Sequence, residues 1–223
     1  MNLIINILYA VGAGVIIMVV LNIINILQAG SKKPDGRTME QILGVDPEKA
    51  TYDDVETLSR SEKMQLFFAA RTPEFDELNG EYKARLLSGG VLGGSSAFFT
   101  HFVFPTGKLT LNTKWVGKAF KSEGPNAGTG YNIFAQVNGK KLRIRQIDTS
   151  LMPTKIGKDG KPSYQIDYSR LNGGTVHSMR DEIRKVNDNL YIGAGYMGLG
   201  GGPLNPAPFA LIGPPTPWVG PDK

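Results

Sequence analysis

Residues 131–147 read YNIFAQVNGKKLRIRQI, two strand-like runs on either side of Asn138-Gly139. Asn-Gly between such runs is the strongest local signal for a β-hairpin, because both central residues of a type I′ turn need a positive φ angle. The register that this turn sets places Ile133 opposite Ile144, and the apolar residues of both strands then share one face. The sequence therefore predicts a hairpin with one buried face.

Further strand-like segments lie on both sides of this hairpin. They are Glu81–Leu87, Ala97–Phe104, Lys108–Val116, 151–157, Tyr164–Tyr168, 176–186, Leu190–Met197 and Phe209–Ile212. Residues 176–186 fit a helix or a strand, and the Asp188-Asn189 turn that follows favours a strand with Asp181 pointing inward. Eight or nine strands joined mostly by short turns predict a mainly β protein whose residues 75–213 form a closed antiparallel barrel.

The segments that flank this barrel have a different composition. Residues 32–74 combine a Pro- and Gly-containing linker with a short helical turn at Met39–Leu43 and a helix within residues 53–70, N-capped by Ser59 or Ser61. Seven prolines occur between residues 203 and 223. We expect residues 214–223 to form no strand ladder and to run extended along a surface.

The N-terminal residues 1–31 contain no Lys, Arg, Asp or Glu. This apolar run exceeds the roughly 20 residues that a helix needs to cross a bilayer. A cleaved secretory signal would need a basic start, a shorter apolar core and a small-residue cleavage site, and none of these is present. We therefore predict a single transmembrane helix, with Lys32, Lys33 and Arg37 just past its end placing the N-terminus outside and the C-terminal domain in the cytoplasm.

Small and polar residues within this helix suggest a partner. Small side chains at a spacing of four let another helix approach closely, and asparagines hydrogen-bond across helices or reach interfacial water. The candidate helix-packing residues are Ala10, Gly12, Ala13, Gly14, Asn22 and Asn25. Gly is also common in membrane helices generally, so ordinary composition explains the small residues equally well.

The composition excludes several classes of chemistry. The chain contains no cysteine and only two histidines, which excludes disulfides, thiolate catalysis and cysteine-based metal sites and disfavours a multi-histidine site. We expect no metal, no required cofactor and no catalytic residue. The net charge of +5 lies outside the apolar helix, so we expect attraction to anionic lipid headgroups or an acidic protein surface rather than to nucleic acid.

Two sets of barrel residues are candidates for binding. The hairpin carries a predicted basic surface patch, made by Lys140, Lys141, Arg143 and Arg145. A solvated strand face is the alternative for these cations. The predicted lining of the barrel interior is Trp115, Tyr131, Ile133, Leu142, Ile144, Tyr168 and Asp181. An inward Asp181 among apolar residues needs a hydrogen-bond donor such as Tyr168 or an arginine.

Several short motifs resemble known families of small barrels. Leu78-Asn-Gly80-Glu-Tyr82 stands where lipocalins and calycins begin their first strand with a G-x-W-type motif. Trp115-Val-Gly117-Lys-Ala-Phe120 and the late segments Met179–Arg184, Leu190–Gly193 and Pro208–Leu211 resemble the uncharacterised GXWXG-type barrel family. The resemblance covers residues 75–213 and implies a lipocalin-like barrel with a ligand-binding role.

Two hypotheses of function follow. The first is a non-catalytic, single-pass accessory subunit of a larger membrane complex, with other transmembrane subunits as partners and the barrel on the cytoplasmic face. The second is a membrane-tethered carrier of a lipid, quinone or pigment, because an eight-stranded barrel is about the smallest that holds one small ligand. A hydratase or isomerase that uses Asp181 as its acid is a distant third.

Overall fold

The computed structural model describes residues 2–29, 33–87, 92–107, 109–157 and 159–222. Eight antiparallel strands pair in chain order, and β8 closes the barrel on β1. The strands are β1 (Gly80–Leu86), β2 (Thr113–Gly124), β3 (Ala127–Gln136), β4 (Lys141–Pro153), β5 (Pro162–Asp167), β6 (Met179–Asn187), β7 (Leu190–Met197) and β8 (Ala207–Thr216). The predicted closed antiparallel barrel is therefore confirmed, as is the choice of a strand for most of residues 176–186.

The β3–β4 hairpin forms at the predicted place with a different register. Ile133 pairs with Arg143, and Phe134 pairs with Leu142. Of the two turn residues only Gly139 has a positive φ angle, of 83°, so the predicted type I′ turn is wrong. Moving the pairing by one residue exchanges the faces of one strand relative to the other, and Phe134 consequently points into the barrel.

The segment between β1 and β2 is helical rather than extended. Helix α5 (Gly93–Phe98) continues into a π-helical turn (Phe99–Val103), which corrects the strand predicted at Ala97–Phe104. A short apolar run has no periodicity that separates a helix from a strand. β2 begins at Thr113 instead of Lys108, and Leu109 and Leu111 before it are exposed.

Short helices before the barrel pack on its outer face. They are α2 (Met39–Leu43), α3 (Tyr52–Glu56) and α4 (Arg60–Ala69), so the single helix expected within residues 53–70 is two. Ser59 caps α4, as predicted, in a capping box with Glu62. Leu66 and Phe67 of α4 share one buried apolar cluster with outward-facing residues of β6 and β7, such as Ile192.

A buried ion pair reinforces this contact. The Arg184 guanidinium, fully buried on β6, donates to the Asp159 carboxylate and to the backbone carbonyls of Phe67 and Phe68. Because Asp159 is buried as well, the pair has little access to water. The backbone of α4 is thus held to the sheet through one side chain.

The C-terminal tail covers another part of the outer face. Trp218 packs on the Tyr131 ring at 4.6 Å, and the backbone N–H groups of Val219 and Gly220 donate to the Tyr131 hydroxyl. The tail runs extended along a surface, as predicted. The ladder itself continues to Thr216, which pairs with Glu81, so the prolines up to that point do not prevent pairing.

The N-terminal segment is one helix, α1 (Asn2–Ala29), long and apolar enough to cross a membrane by length and composition. Residues 4–7 and 9–20 are exposed along it. Its last turns contact the barrel domain, where the carbonyl of Asn25 accepts a hydrogen bond from Arg60 at 3.0 Å. The predicted orientation in a membrane stays a prediction, and Lys32 lies outside the described residues.

Replacing Asp159 with Asn should destabilise the protein strongly, because the Arg184 charge stays buried without its counter-ion. We expect the free energy of unfolding to fall by about 3 kcal/mol, measured by urea unfolding of the full chain in detergent with tryptophan fluorescence. Asp148→Asn removes the same charge from the solvent-exposed Arg170 pair and should have little effect. Equal effects of the two substitutions would contradict the assigned role of Arg184.

Candidate functional site: a cavity at the mouth of the barrel

The barrel interior is filled at one end and hollow at the other. Phe75 stacks on Tyr164 at 5.2 Å, and Phe120 meets Tyr164 edge-on at 5.6 Å, so aromatic side chains close the first end. The other end holds a cavity of about 310 Å³. Its apolar lining comprises Met18, Leu86, Leu92, Phe99, Phe104, Trp115, Met179, Tyr196, Met197, Ala207 and Phe209.

Four polar side chains form a connected cluster at the inner wall of this cavity. The ammonium group of Lys118 on β2 donates to Asp181 Oδ2 at 2.8 Å, to Asn132 Oδ1 at 2.8 Å and to the Tyr168 hydroxyl at 2.5 Å. The Tyr168 hydroxyl in turn donates to Asp181 Oδ2 at 2.8 Å. The sequence-based requirement for a donor to Asp181 is thus met by Tyr168, together with a lysine.

Glycines on β7 leave the space that this arrangement needs. A Cβ on Gly195 would lie 2.6 Å from Asp181 Oδ1, and a Cβ on Gly193 would lie 2.1 Å from the Phe209 ring. Both distances are shorter than van der Waals contact. These two glycines therefore let the Asp181 carboxylate and the Phe209 ring lie flat against the barrel wall.

Burial controls the electrostatics of the cluster. Desolvation lowers the pKa of Lys118 against the opposing effect of Asp181, and desolvation raises the pKa of the Tyr168 hydroxyl well above its ordinary value. Tyr168 therefore stays protonated over the physiological range and remains a hydrogen-bond donor. Because the three N–H bonds of the Lys118 ammonium are all used within the cluster, its nitrogen is not presented to the cavity as a nucleophile.

The helical segment formed by α5 and the π-helical turn covers one side of the cavity mouth, and we call it the lid (Gly93–Val103). Ser96, Phe99 and Thr100 of the lid line the cavity. Residues 86–107 contain no Asp, Glu, Lys or Arg, and Phe98 on the lid is 48% exposed. The backbone N–H of Trp115 donates to His101 Nδ1 at 3.1 Å, which joins the lid to β2.

Helix α1 forms the opposite side of the mouth. Met18 and Asn22 of α1 line the cavity beside Asn205 of the β7–β8 connection. Asn205 donates to Asn22 Oδ1 at 3.0 Å and accepts from Asn25 Nδ2 at 2.6 Å. The two helix asparagines thus bond a loop of their own chain, and their contact with a neighbouring helix stays a prediction.

The predicted lining residues divide between the two faces of the barrel. Trp115, Tyr168 and Asp181 line the cavity, while Leu142 and Ile144 pack against the interior cluster. Tyr131 and Ile133 were predicted on the wrong face and belong to an outer cluster under Trp218. The reason is the hairpin register, which points alternate β3 residues such as Asn132 inward.

Two residues of the polar cluster, Lys118 and Asn132, are missing from the sequence-based lining. Lys118 lies between Trp115 and Phe120 in an apolar segment, and a charge in such a position is a signal of burial with a partner. Asn132 has no comparable signal. Its inward direction depends on the register, and Trp115 Nε1 donates to its side-chain oxygen at 3.1 Å.

The predicted basic patch is not one surface. Arg143 pairs with Glu81 at 2.6 Å, and Arg145 donates to the carbonyl oxygens of Phe104 and Pro105 below the lid. Only Lys140 and Lys141 of the four are exposed. Arg143 therefore binds β1 and Arg145 binds the residues that follow the lid, which the local charge pattern does not reveal.

Comparison with known proteins adds little to this geometry. No protein-family model matches the chain, and no curated protein sequence matches it. A crystal structure of a protein from Thermomonospora curvata is similar at 17% identity and a TM-score of 0.46, over 78% of this chain and 97% of that one. Among the residues that the structure describes, no group of three or more His, Cys, Asp or Glu is placed to hold a metal ion.

Replacing His101 with Asn should reduce the pH dependence of stability. Burial, and then the nearby Lys114, lower the pKa of His101 from its ordinary value of 6.5. His101 therefore binds a proton more readily in the unfolded chain than in the folded protein. The free energy of unfolding consequently falls as the pH falls from 6.5 towards the lowered pKa of His101. Asn retains an acceptor for the Trp115 N–H but does not titrate.

The measurement is thermal unfolding of both full-length proteins in detergent between pH 7 and pH 5. We expect the loss of stability over this interval to be smaller for His101→Asn than for the wild type. His177→Asn alters the other histidine, which lies away from the lid, and serves as the control. A larger acid sensitivity in His101→Asn would contradict the assigned direction of the pKa shift.

Proposed function

We propose that this protein is a membrane-tethered, non-catalytic carrier that holds an apolar small molecule at the mouth of its barrel. The single observation that supports this best is the cavity of about 310 Å³ between the barrel, the lid and α1. Its volume lies at the lower end of the range of small-molecule sites, and such sites combine apolar walls with a few convergent polar groups. A lipid, quinone or pigment fits this description.

The position of α1 supports a membrane source for the ligand. From Asn2 to Leu21 the helix has about 20 residues and a length of about 30 Å, which matches the hydrocarbon core of a bilayer. The contacts with Asn205 and Arg60 begin at Asn22. With α1 inserted up to that point, the cavity edge at Met18 and Asn22 lies at the bilayer surface.

The lid supports the same arrangement. Phe98, at 48% exposure, and Leu204, at 60%, are large apolar side chains that belong to the lid and to the β7–β8 connection around the mouth. Phe and Leu side chains on the apolar face of a segment at the membrane surface insert into the boundary between headgroups and acyl chains. An uncharged lid beside the helix would let an apolar molecule pass between bilayer and barrel without crossing water.

Filling the cavity should abolish binding and leave the fold intact. Ala207 on β8 lines the cavity, and Ala207→Phe places a ring in it. We expect the full chain in lipid nanodiscs to bind 1-decanol or decane, detected by a change in Trp115 fluorescence, and Ala207→Phe to weaken this binding at least tenfold.

The matched control is Ala127→Phe, which adds the same ring at an exposed position at the start of β3. Its affinity should equal that of the wild type. Because Trp218 would contribute signal, both variants and their reference carry Trp218→Phe. The carrier proposal is wrong when the reference protein binds neither probe, or when both phenylalanine variants bind them as well as the reference does.

An accessory subunit of a larger membrane complex is the second candidate, and one observation favours it. Ala10, Gly12, Ala13 and Gly14 are exposed on α1. Beyond the adjacent residues and the backbone of the helix itself, no described atom lies within 4 Å of a Cβ built on either glycine. Close helix approach requires such small residues. The barrel domain leaves this part of the helix free for another transmembrane segment.

Gly14→Leu should separate the two candidates. A bulky side chain at a helix–helix contact prevents close approach, so an accessory subunit carrying it should no longer migrate with a larger complex on native electrophoresis of source membranes. Val19→Leu, which lies about 140° around the helix, is the control and should keep the wild-type migration. Wild-type protein that migrates alone excludes the subunit hypothesis.

A further inference from the structure

We infer that the cavity selects apolar molecules whose polar end is a hydroxyl group, held by the free carboxylate oxygen of Asp181. This inference rests on the proposed carrier function and adds the chemical class of the ligand. The hydrogen bonds among Lys118, Asn132, Tyr168 and Asp181 support it.

The hydrogen-bond donors of the cluster all have acceptors within it or next to it. Lys118 directs its hydrogen bonds to Asn132, Tyr168 and Asp181. The Tyr168 hydroxyl gives its only proton to Asp181 Oδ2. The Asn132 side-chain amide donates to the Arg145 carbonyl and to the Tyr168 hydroxyl. Lys118 has three N–H donors, the Asn132 amide has two and a tyrosine hydroxyl has one, so the cluster keeps no donor for a ligand.

The carboxylate and amide acceptors of the cluster are occupied except for one oxygen. Asn132 Oδ1 already accepts from Lys118 and from Trp115 Nε1. Asp181 Oδ2 accepts from Lys118 and Tyr168. In contrast, Asp181 Oδ1 accepts no hydrogen bond from the described residues, although Asp181 is only 4% exposed.

Asp181 Oδ1 lies on the cavity side of the cluster. Oδ1 is the carboxylate oxygen on the Gly195 side, at 2.6 Å from where a Cβ would stand, and Gly195 and Asp181 both line the cavity. Oδ1 is not among the fully buried atoms that lack a partner, so this oxygen is accessible from the cavity and can accept a hydrogen bond there. A ligand that brings a donor to Oδ1 completes the hydrogen bonding of the cluster.

The charges narrow the class of ligand further. The formal charges of Lys118 and Asp181 cancel, so the site offers no net positive charge to an anion. A carboxylate head group would meet Oδ1 without a donor available to it. An alcohol or phenol donates one hydrogen bond and carries no charge that needs hydration.

The experiment compares head groups on one hydrocarbon chain. Full-length protein carrying Trp218→Phe is placed in nanodiscs and titrated at neutral pH with 1-decanol, decanoic acid and decane, with Trp115 fluorescence as the signal. Any response that persists when Ala207→Phe is added arises from partition into the lipid and is subtracted. We expect 1-decanol to bind at least about tenfold more tightly than decanoate.

Three outcomes are distinguishable. Preference for 1-decanol over both other probes supports the inference. Equal binding of the alcohol and the acid, or tighter binding of the acid, overturns it and leaves the carrier function in place. Binding of none of the three probes overturns the carrier function itself.

Asp181→Asn provides a second test of the same oxygen. It should weaken 1-decanol binding about tenfold more than decane binding, because the amide nitrogen that replaces one carboxylate oxygen cannot accept a hydrogen bond from the alcohol. An equal loss for both probes, in a variant that still unfolds cooperatively on heating, would assign Asp181 a structural role and overturn the inference. The comparison of head groups on the wild-type side chain does not depend on the folding of this variant.

Discussion

The structure depends on one buried interaction, the ion pair between Lys118 and Asp181 inside the barrel. A lysine removed from water in an apolar interior is unfavourable by itself, and its carboxylate partner is equally so. Their mutual contact at 2.8 Å, together with the hydrogen bonds of Asn132 and Tyr168, offsets the free energy lost when the two charges leave water. The four side chains come from β2, β3, β6 and the residue after β5, so the cluster also fixes the distances across the barrel.

This cluster divides the barrel interior into two parts. On one side the aromatic rings around Tyr164 pack closely. On the other side the lid and α1 bound a cavity instead of filling it. The polar cluster thus forms the inner wall of the cavity, and the same interaction that satisfies two buried charges leaves one carboxylate oxygen facing open space.

The outer face uses similar buried cations to hold the peripheral segments. Arg184 binds α4 to the outer face of the sheet, and Arg60 binds the end of α1 to the β7–β8 connection. Arg145 donates to the carbonyl oxygen of Phe104, directly after the lid. Each arginine presents several donors in a fixed geometry, which suits the unpaired carbonyl groups of helix ends and loops. The cavity mouth itself consists of α1, the lid and the β7–β8 connection, three segments that lie far apart in sequence.

The sequence by itself determined the elements with strong local signals. Alternating residues and short turns specified an antiparallel barrel, the capping residue Ser59 specified the start of α4, and the uncharged run specified α1. An inward Asp181 near Tyr168 was also predictable, because the Asp188-Asn189 turn and the period of two settle which way β6 faces. Only tertiary structure decided the register of the β3–β4 hairpin, since a one-residue change keeps every turn residue in place and yet exchanges Asn132 with Ile133. The tertiary structure likewise decided that the lid is helical, because its short apolar run has no period that separates a helix from a strand. It also decided that Lys118 pairs with Asp181, because no local pattern relates these two residues.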